Sequence, residues 1–293
     1  MAGSSMQKLP AELLASIMLH VDPYSVPMKF ALARVSSYWR AVALDSHVLW
    51  ATFEIDSTAA VCGLPILLQR SRAGSSHDST PLDVRLTFGY LFGGGDRNRH
   101  LLPTSRDAAT ALLAQPDIAA RIAALDITYS SPGALRLLIG ADLYFPQLER
   151  LHVCRSPNTS HENVHIAITA PRLRHLRIIR TSPRSWSALL VRSLVDVRIE
   201  HCGPEAHVGV LATILRQCPS LAHLAFFTQD RAPLGIARDL WPTIRGEDRP
   251  VPPLPGPDGA YDSDSDIRSP LRCLSSFRLE VRRSSFHVSS SCL

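Results

Sequence analysis

Apolar residues recur at helical spacing near the start of the chain, where Leu13, Leu14, Ile17, Met18 and Val21 form one broad stripe. Pro10 suits a first helical position, which needs no backbone N–H, and Glu12 suits the positive end of a helix. Asp22-Pro23 and Pro27 interrupt the pattern. A second short helix is predicted from about Pro27 through Met28, Ala31, Leu32 and Val35. A third begins at Ser36 or Ser37 as N-cap and carries Tyr38, Trp39, Val42, Ala43 and Leu44. Asp45-Ser46 ends it, and Val48, Leu49 and Trp50 follow. A module under about 50 residues rarely buries enough surface to be firmly stable alone, so its apolar faces are expected to close against something else.

The pattern then changes. Ala59 to Leu68 reads as a short apolar helix, residues 70–81 as a loop rich in Ser and Gly, and Leu82 to Leu86 alternates like a strand. From residue 122 a frame apolar-x-x-apolar-x-apolar repeats: Ile122, Leu125, Ile127; Leu148, Leu151, Val153; Leu173, Leu176, Ile178; Leu194, Val197, Ile199; Leu221, Leu224, Phe226; and Leu274, Phe277, Leu279. Its starts step by 26, 25, 21, 27 and 53 residues, shorter than the roughly 30 or more of a doubly wound unit. Pro146, Pro171 and Pro219 fit strand entry, and 108–113, 134–139, 186–191 and 208–215 supply candidate returning helices. Residues 246–270 break the frame with prolines and an acidic Ser run holding Ser263 and Ser265, candidates for phosphorylation, and read as a disordered surface insertion.

Composition narrows the function classes. With 45% hydrophobic residues the 293-residue chain can bury a sizeable core, and no run reaches the ~18 apolar residues of a membrane span. Without a recognisable leader, a cytoplasmic or nuclear location is the default. The six cysteines lie far apart with no CxxC pair, which argues against a zinc ribbon or a disulfide framework. The net charge is +5, and only Lys8 and Lys29 of the 31 basic residues are lysine, a bias that nucleotide composition can produce. Gly93-Gly94-Gly95 lacks the strand-to-helix setting of a phosphate loop. His161-Glu162-Asn163-Val164-His165 spells the zinc-protease pattern, but Val164, Ile166 and Ile168 alternate as in a strand. There, positions four apart are separated by about 13 Å and cannot share an ion. No nucleophile site, metal site or cofactor site emerges, so the chain is expected not to be an enzyme.

The segment Leu9 to Asp56 resembles an F-box on Leu9, Pro10, Glu12, Leu13, Leu14, Ile17, Val35, Ser36, Trp39, Arg40, Val42, Ala43, Leu49 and Trp50. The order of helix, Arg-Ser-Arg and Pro-Leu-Asp-Val-Arg-Leu after it resembles the equivalent segment of many fungal F-box proteins. The later frame resembles degenerate leucine-rich repeats. These resemblances imply an α/β fold with a three-helix F-box followed by an irregular leucine-rich-repeat solenoid bearing a parallel strand ladder. They divide the chain into a flexible start (1–8), F-box (9–56), connection (57–121), repeats (122–245), insertion (246–270) and a terminal repeat with tail (271–293). They imply a substrate receptor of a Skp-cullin-F-box ubiquitin ligase. Adaptor docking falls by resemblance on Leu9, Pro10, Leu13, Leu14, Ile17, Leu32, Val35, Trp39, Leu49 and Trp50. In such a subunit, scarce lysine would also limit self-ubiquitination. The alternative is an interaction scaffold outside any ligase, with a zinc hydrolase a distant third.

If the frame makes a ladder, the residues between its apolar positions share the opposite face. Arg150, His152, His175, Arg177 and Arg198 then form the core of a mostly basic band with Asp196, His223 and Arg278. That band suits an acidic or phosphorylated protein segment. Nucleic acid ranks lower, because no aromatic stacking array accompanies it.

Overall fold

The computed structural model describes residues 9–72, 80–88, 111, 113–130, 143–156, 163, 164, 166, 168–201, 207–228 and 276–281. The helices come first: α1 (Ala11–His20), α2 (Val26–Leu32), α3 (Ser37–Asp45) and α4 (His47–Ala51). Ser36 caps α3 by accepting a hydrogen bond from the Trp39 N–H at 3.2 Å. Ser25 caps α2 by accepting from Met28 N–H at 3.3 Å, so α2 begins and ends earlier than the sequence predicts and leaves Val35 beyond it. The five-residue α4 is too short for its periodicity to be read, and the sequence shows it only as an apolar triplet.

Helix α4 runs directly into β1 (Thr52–Ile55), and α5 (Thr58–Arg70) crosses to β2 (Leu82–Phe88). Further elements among the described residues are α6 (Pro116–Ala119), β3 (Ile122–Tyr129), β4 (Leu143–Tyr144), β5 (Arg150–Arg155), β6 (Asn163–Val164), β7 (Ile168–Thr169), β8 (His175–Ile179), β9 (Ser182–Pro183), β10 (Asp196–Glu200), α7 (His207–Gln217), β11 (His223–Thr228) and β12 (Ser276–Val281). Eight strands form one sheet in the order β1-β2-β3-β5-β8-β10-β11-β12, parallel at every junction. Two small parallel pairs, β4 with β7 and β6 with β9, lie apart from it.

The repeating frame sets the register. Phe53, Val84, Leu125, Leu151, Leu176, Val197 and Leu224 align across the sheet, as do Ile55, Leu86, Ile127, Val153, Ile178, Ile199 and Phe226. All fourteen are buried, and a one-residue slip of any strand would turn its share outward. Burying each such side chain contributes about 1.5–3 kcal/mol. The first frame positions Leu148, Leu173, Leu194 and Leu221 are buried at the strand entries.

A regular leucine-rich-repeat solenoid does not form. The connections change from one strand pair to the next: a 13-residue helix after β1, a single helical turn before β3, two-residue strands beside β5 and β8, and an 11-residue helix before β11. Residues 186–191, expected as a helix, make only turns in which Trp186 C=O accepts from Leu189 and Leu190 N–H. Only about 12 residues separate Pro183 from Asp196, against about 22 between Glu200 and His223, where the 11-residue α7 forms. The expected helix at 134–139, most of that at 108–113 and the insertion at 246–270 lie outside the described residues.

The helices and the sheet share one core. Trp50 is fully enclosed, its indole N–H donates to Ala43 C=O at 2.6 Å, and the Arg70 guanidinium stacks 4.4 Å from its ring. Arg121 ties the end of α5 to the entry of β2 by donating to Ser71 C=O at 3.0 Å, Ser71 Oγ at 2.7 Å and Thr80 C=O at 3.1 Å. The helical module therefore does complete its core, and it does so against α5, β1 and β2 of its own chain.

Candidate functional site

Two surfaces stand out. The first lies on the N-terminal helices. Along α1 the apolar stripe divides into two sets with i, i+4 spacing: Leu14 and Met18 turn inward and are 0% and 1% exposed, whereas Leu13 and Ile17 turn outward at 55% and 42%. Val21 and Met28 are likewise exposed, and Val35, just past α2, is 58% exposed. Leu44 and Val48 are exposed on the same module as well, and large aliphatic side chains left outside a closed core are the kind of surface that partners cover.

The residues that resemblance assigns to docking thus fall into three groups. Leu13, Ile17 and Val35 are exposed, as is Pro10, while Leu9, Leu32 and Trp39 are half-buried. Leu14, Leu49 and Trp50 are enclosed at 0%, 1% and 0%. These three hold the module together and cannot touch a partner without unfolding it. Tyr38 OH donates to Leu9 C=O at 2.7 Å and pins the start of α1 to α3.

The second surface is the exposed face of the sheet. The five basic residues read from the sequence, Arg150, His152, His175, Arg177 and Arg198, come together around one hollow of about 390 Å³. Tyr24, Asp83, Asp126 and Asp196 line it too, with Ala124 leaving space between them. The band is therefore not simply basic. Arg150 Nη2 lies 3.0 Å from Asp83 Oδ2, Arg85 Nε 3.6 Å from Asp126 Oδ2, Arg177 Nη2 2.9 Å from Glu200 Oε1, and Arg198 Nε 2.6 Å from the same oxygen. His152 Nδ1 is 3.1 Å from Asp126 Oδ1, close enough for charge attraction but out of line for a hydrogen bond, and His152 Nε2 is enclosed without a hydrogen-bond partner.

Tyr24 joins the two surfaces. It lies between α1 and α2, its carbonyl accepts from Glu54 N–H at 2.9 Å, and its hydroxyl donates to the Asp83 carboxylate at 3.3 Å. Burial, reinforced by the Asp83 charge, raises its pKa. The Arg85 guanidinium stacks 3.9 Å from its ring. Beneath it, Lys29 is 1% exposed, and its Nζ donates to Thr52 C=O. Burial lowers that amine's pKa from 10.5 to about 7.

Sequence reasoning missed Tyr24, Asp83, Asp126 and Glu200. The same strand alternation that yields Arg150 and His152 yields Asp83 from Leu82–Phe88, Asp126 from between Leu125 and Ile127, and Glu200 from just after Ile199. Tyr24 carries no such signal, because it arrives from a turn. Of the two outer positions, His223 stands on β11, and Arg278 on β12 has its side chain outside the described set.

The zinc-protease string resolves at its centre. Asn163 and Val164 form β6, extended and paired with β9, whereas the chemistry needs a helix. Its histidines and Glu162 lie outside the described residues. Among the described residues no group of three His, Cys, Asp or Glu side chains is placed to hold a metal ion, and no helix is long and apolar enough to cross a membrane.

A family model for F-box-like domains matches residues 6–56. F-box domains typically bind Skp-type adaptors. No curated protein matches the chain.

Proposed function

We propose that this chain is a substrate receptor of a Skp-cullin-F-box ubiquitin ligase, working in the cytosol or nucleus and leaving the chemistry to other subunits. The observation that carries the reading is the outward apolar set Leu13, Ile17, Val21, Met28 and Val35, on a segment that matches the F-box-like model and has already closed its own core. An adaptor laid across that set would bury it. The hollow on the sheet then faces a protein segment, with Arg150, His152, His175, Arg177 and Arg198 as its basic contacts. The step of about 25 residues between successive frames supports kinship of the ladder with leucine-rich repeats, in a degenerate form.

Co-expression with a Skp-type adaptor and a cullin tests this. The wild-type chain should recover both, and Leu13→Asp combined with Val35→Asp should reduce adaptor recovery at least about tenfold. An unchanged melting temperature would show that the variant still folds. Undiminished recovery would defeat the docking assignment, and adaptor recovered without cullin would favour a scaffold outside any ligase.

A further inference from the structure

The charges on the exposed face are arranged in bands that follow the strands. On β5 and β8 the outward charged residues are all basic: Arg150 and His152, then His175 and Arg177. On one side, β2 and β3 present Asp83 and Asp126 against a single Arg85, whose guanidinium is drawn onto the Tyr24 ring. On the other, β10 presents Asp196 and Glu200 against Arg198, which is held by Glu200 and stacks 4.8 Å from the Phe227 ring. Within the hollow, Asp83 and Asp126 line one flank and the basic residues of β5 and β8 the middle, while the other flank holds Asp196 beside Arg198, whose charge Glu200 offsets from outside the lining. Arg150 and Arg177 are well exposed there, and so is His175.

The spacing of the bands selects what fits. Neighbouring strands lie about 4.8 Å apart, so the midline between β5 and β8 is about 7 Å from β3 on one side and about 7 Å from β10 on the other. In an extended chain, side chains on one face are also about 7 Å apart, two residues along. A segment crossing the strands would therefore set residues i, i+2 and i+4 over the three bands in turn.

We propose that the hollow holds an extended protein segment of the pattern basic-x-acidic-x-basic, with an Asp or Glu carboxylate at its centre. The inference deepens the assignment of this face as the substrate surface and rests on it. Arg150 and Arg177, each already held by one carboxylate, Asp83 and Glu200, meet the central carboxylate with His175 through their remaining N–H groups, and the flanking cations meet Asp126 with Asp83 on one side and Asp196 on the other. A run of acidic residues is rejected, since its outer charges would oppose those flanks. A nucleic-acid backbone, whose charges repeat without a change of sign, is rejected for the same reason.

Fluorescence anisotropy of the full chain with three labelled peptides at low salt tests this. Their cores are Lys-Ala-Glu-Ala-Lys, Glu-Ala-Glu-Ala-Glu and Glu-Ala-Lys-Ala-Glu. The first should bind at least about tenfold tighter than either of the others. Asp196 has no charged partner among the described contacts, so Asp196→Asn should keep the wild-type melting temperature and cut that preference at least about threefold. Equal or tighter binding of the all-acidic or the inverted peptide would overturn the inference. So would the absence of binding by all three, or a preference untouched by Asp196→Asn. Adaptor recovery, measured on the same preparations, separates the outcomes. A chain that recovers adaptor but shows no preference defeats only the banding, and a chain that prefers the first peptide without recovering adaptor defeats only the ligase reading.

Discussion

At Lys29 burial and charge conflict. Its amine is enclosed where α2 meets β1, with Asp22 and Asp83 as the charges that favour its protonated form, and burial still brings its pKa down to about 7. In the unfolded chain it titrates near 10.5. Between those values the unfolded state holds a proton that the folded state has given up, so stability rises with pH, by up to about 1.4 kcal/mol per unit. Below pH 7 both states are protonated and the effect is flat. Cys218 works the other way: burial raises its thiol from 9.0 to about 11, so above pH 9 the unfolded state loses a proton that the folded state keeps, and stability falls. Denaturant unfolding of the wild-type chain should therefore show free energy climbing from pH 7 to about pH 9. Lys29→Met should flatten that climb, and a slope unchanged in the variant would place its origin elsewhere. Nothing in the sequence marks Lys29 as buried, because a lysine on a short helix reads as solvent-facing until the strand that covers it is known.

At the scale of the element, α1 shows what periodicity can and cannot tell. Leu13, Leu14, Ile17, Met18 and Val21 are legible as one helical stripe, yet the stripe is wide enough to serve two surfaces, and hydropathy is the same on both. The division appears only when α3 and α4 close over Leu14 and Met18. The two sets should part by experiment. Leu14→Ala leaves a cavity in a closed core and should cost about 2–5 kcal/mol in chemical denaturation, whereas Leu13→Ala should stay within about 0.5 kcal/mol of wild type. The strands were easier to read than the helices. A two-residue alternation repeated six times fixes both the buried rows and the outward face, so the five basic residues of the hollow could be named in advance. The connections carry no such repetition, and the helix expected at 186–191 gives way to turns. The acidic partners are harder to read for a different reason: Asp83 belongs to a strand before the frame begins, and a charge on one strand says nothing of the charge beside it until the register is known.

For the whole molecule, the consequential fact is that the F-box-like segment is not a detachable bead. Trp50 is held between Ala43, Phe30 and the Arg70 guanidinium, the last of which arrives on α5 from beyond residue 56. Lys29 Nζ and Tyr24 reach across to β1 and β2. The N-terminal helices are thus oriented by the sheet, and the hollow holds a fixed place relative to Leu13 and Val35. Independent modules on a linker would unfold separately and leave that geometry free. With a shared core, tryptophan fluorescence and far-ultraviolet circular dichroism should report a single coincident transition on chemical denaturation of the full chain. A fragment of residues 9–56 loses α5 and β2, uncovers the Trp50 side and should show little cooperative melting. Its helical signal should return when an adaptor covers the outward apolar set, since binding to the folded form alone pulls the equilibrium toward it. Two separate transitions in the full chain, or a fragment that melts as sharply as the intact protein, would mean that the sheet does not fix the direction in which the N-terminal helices point.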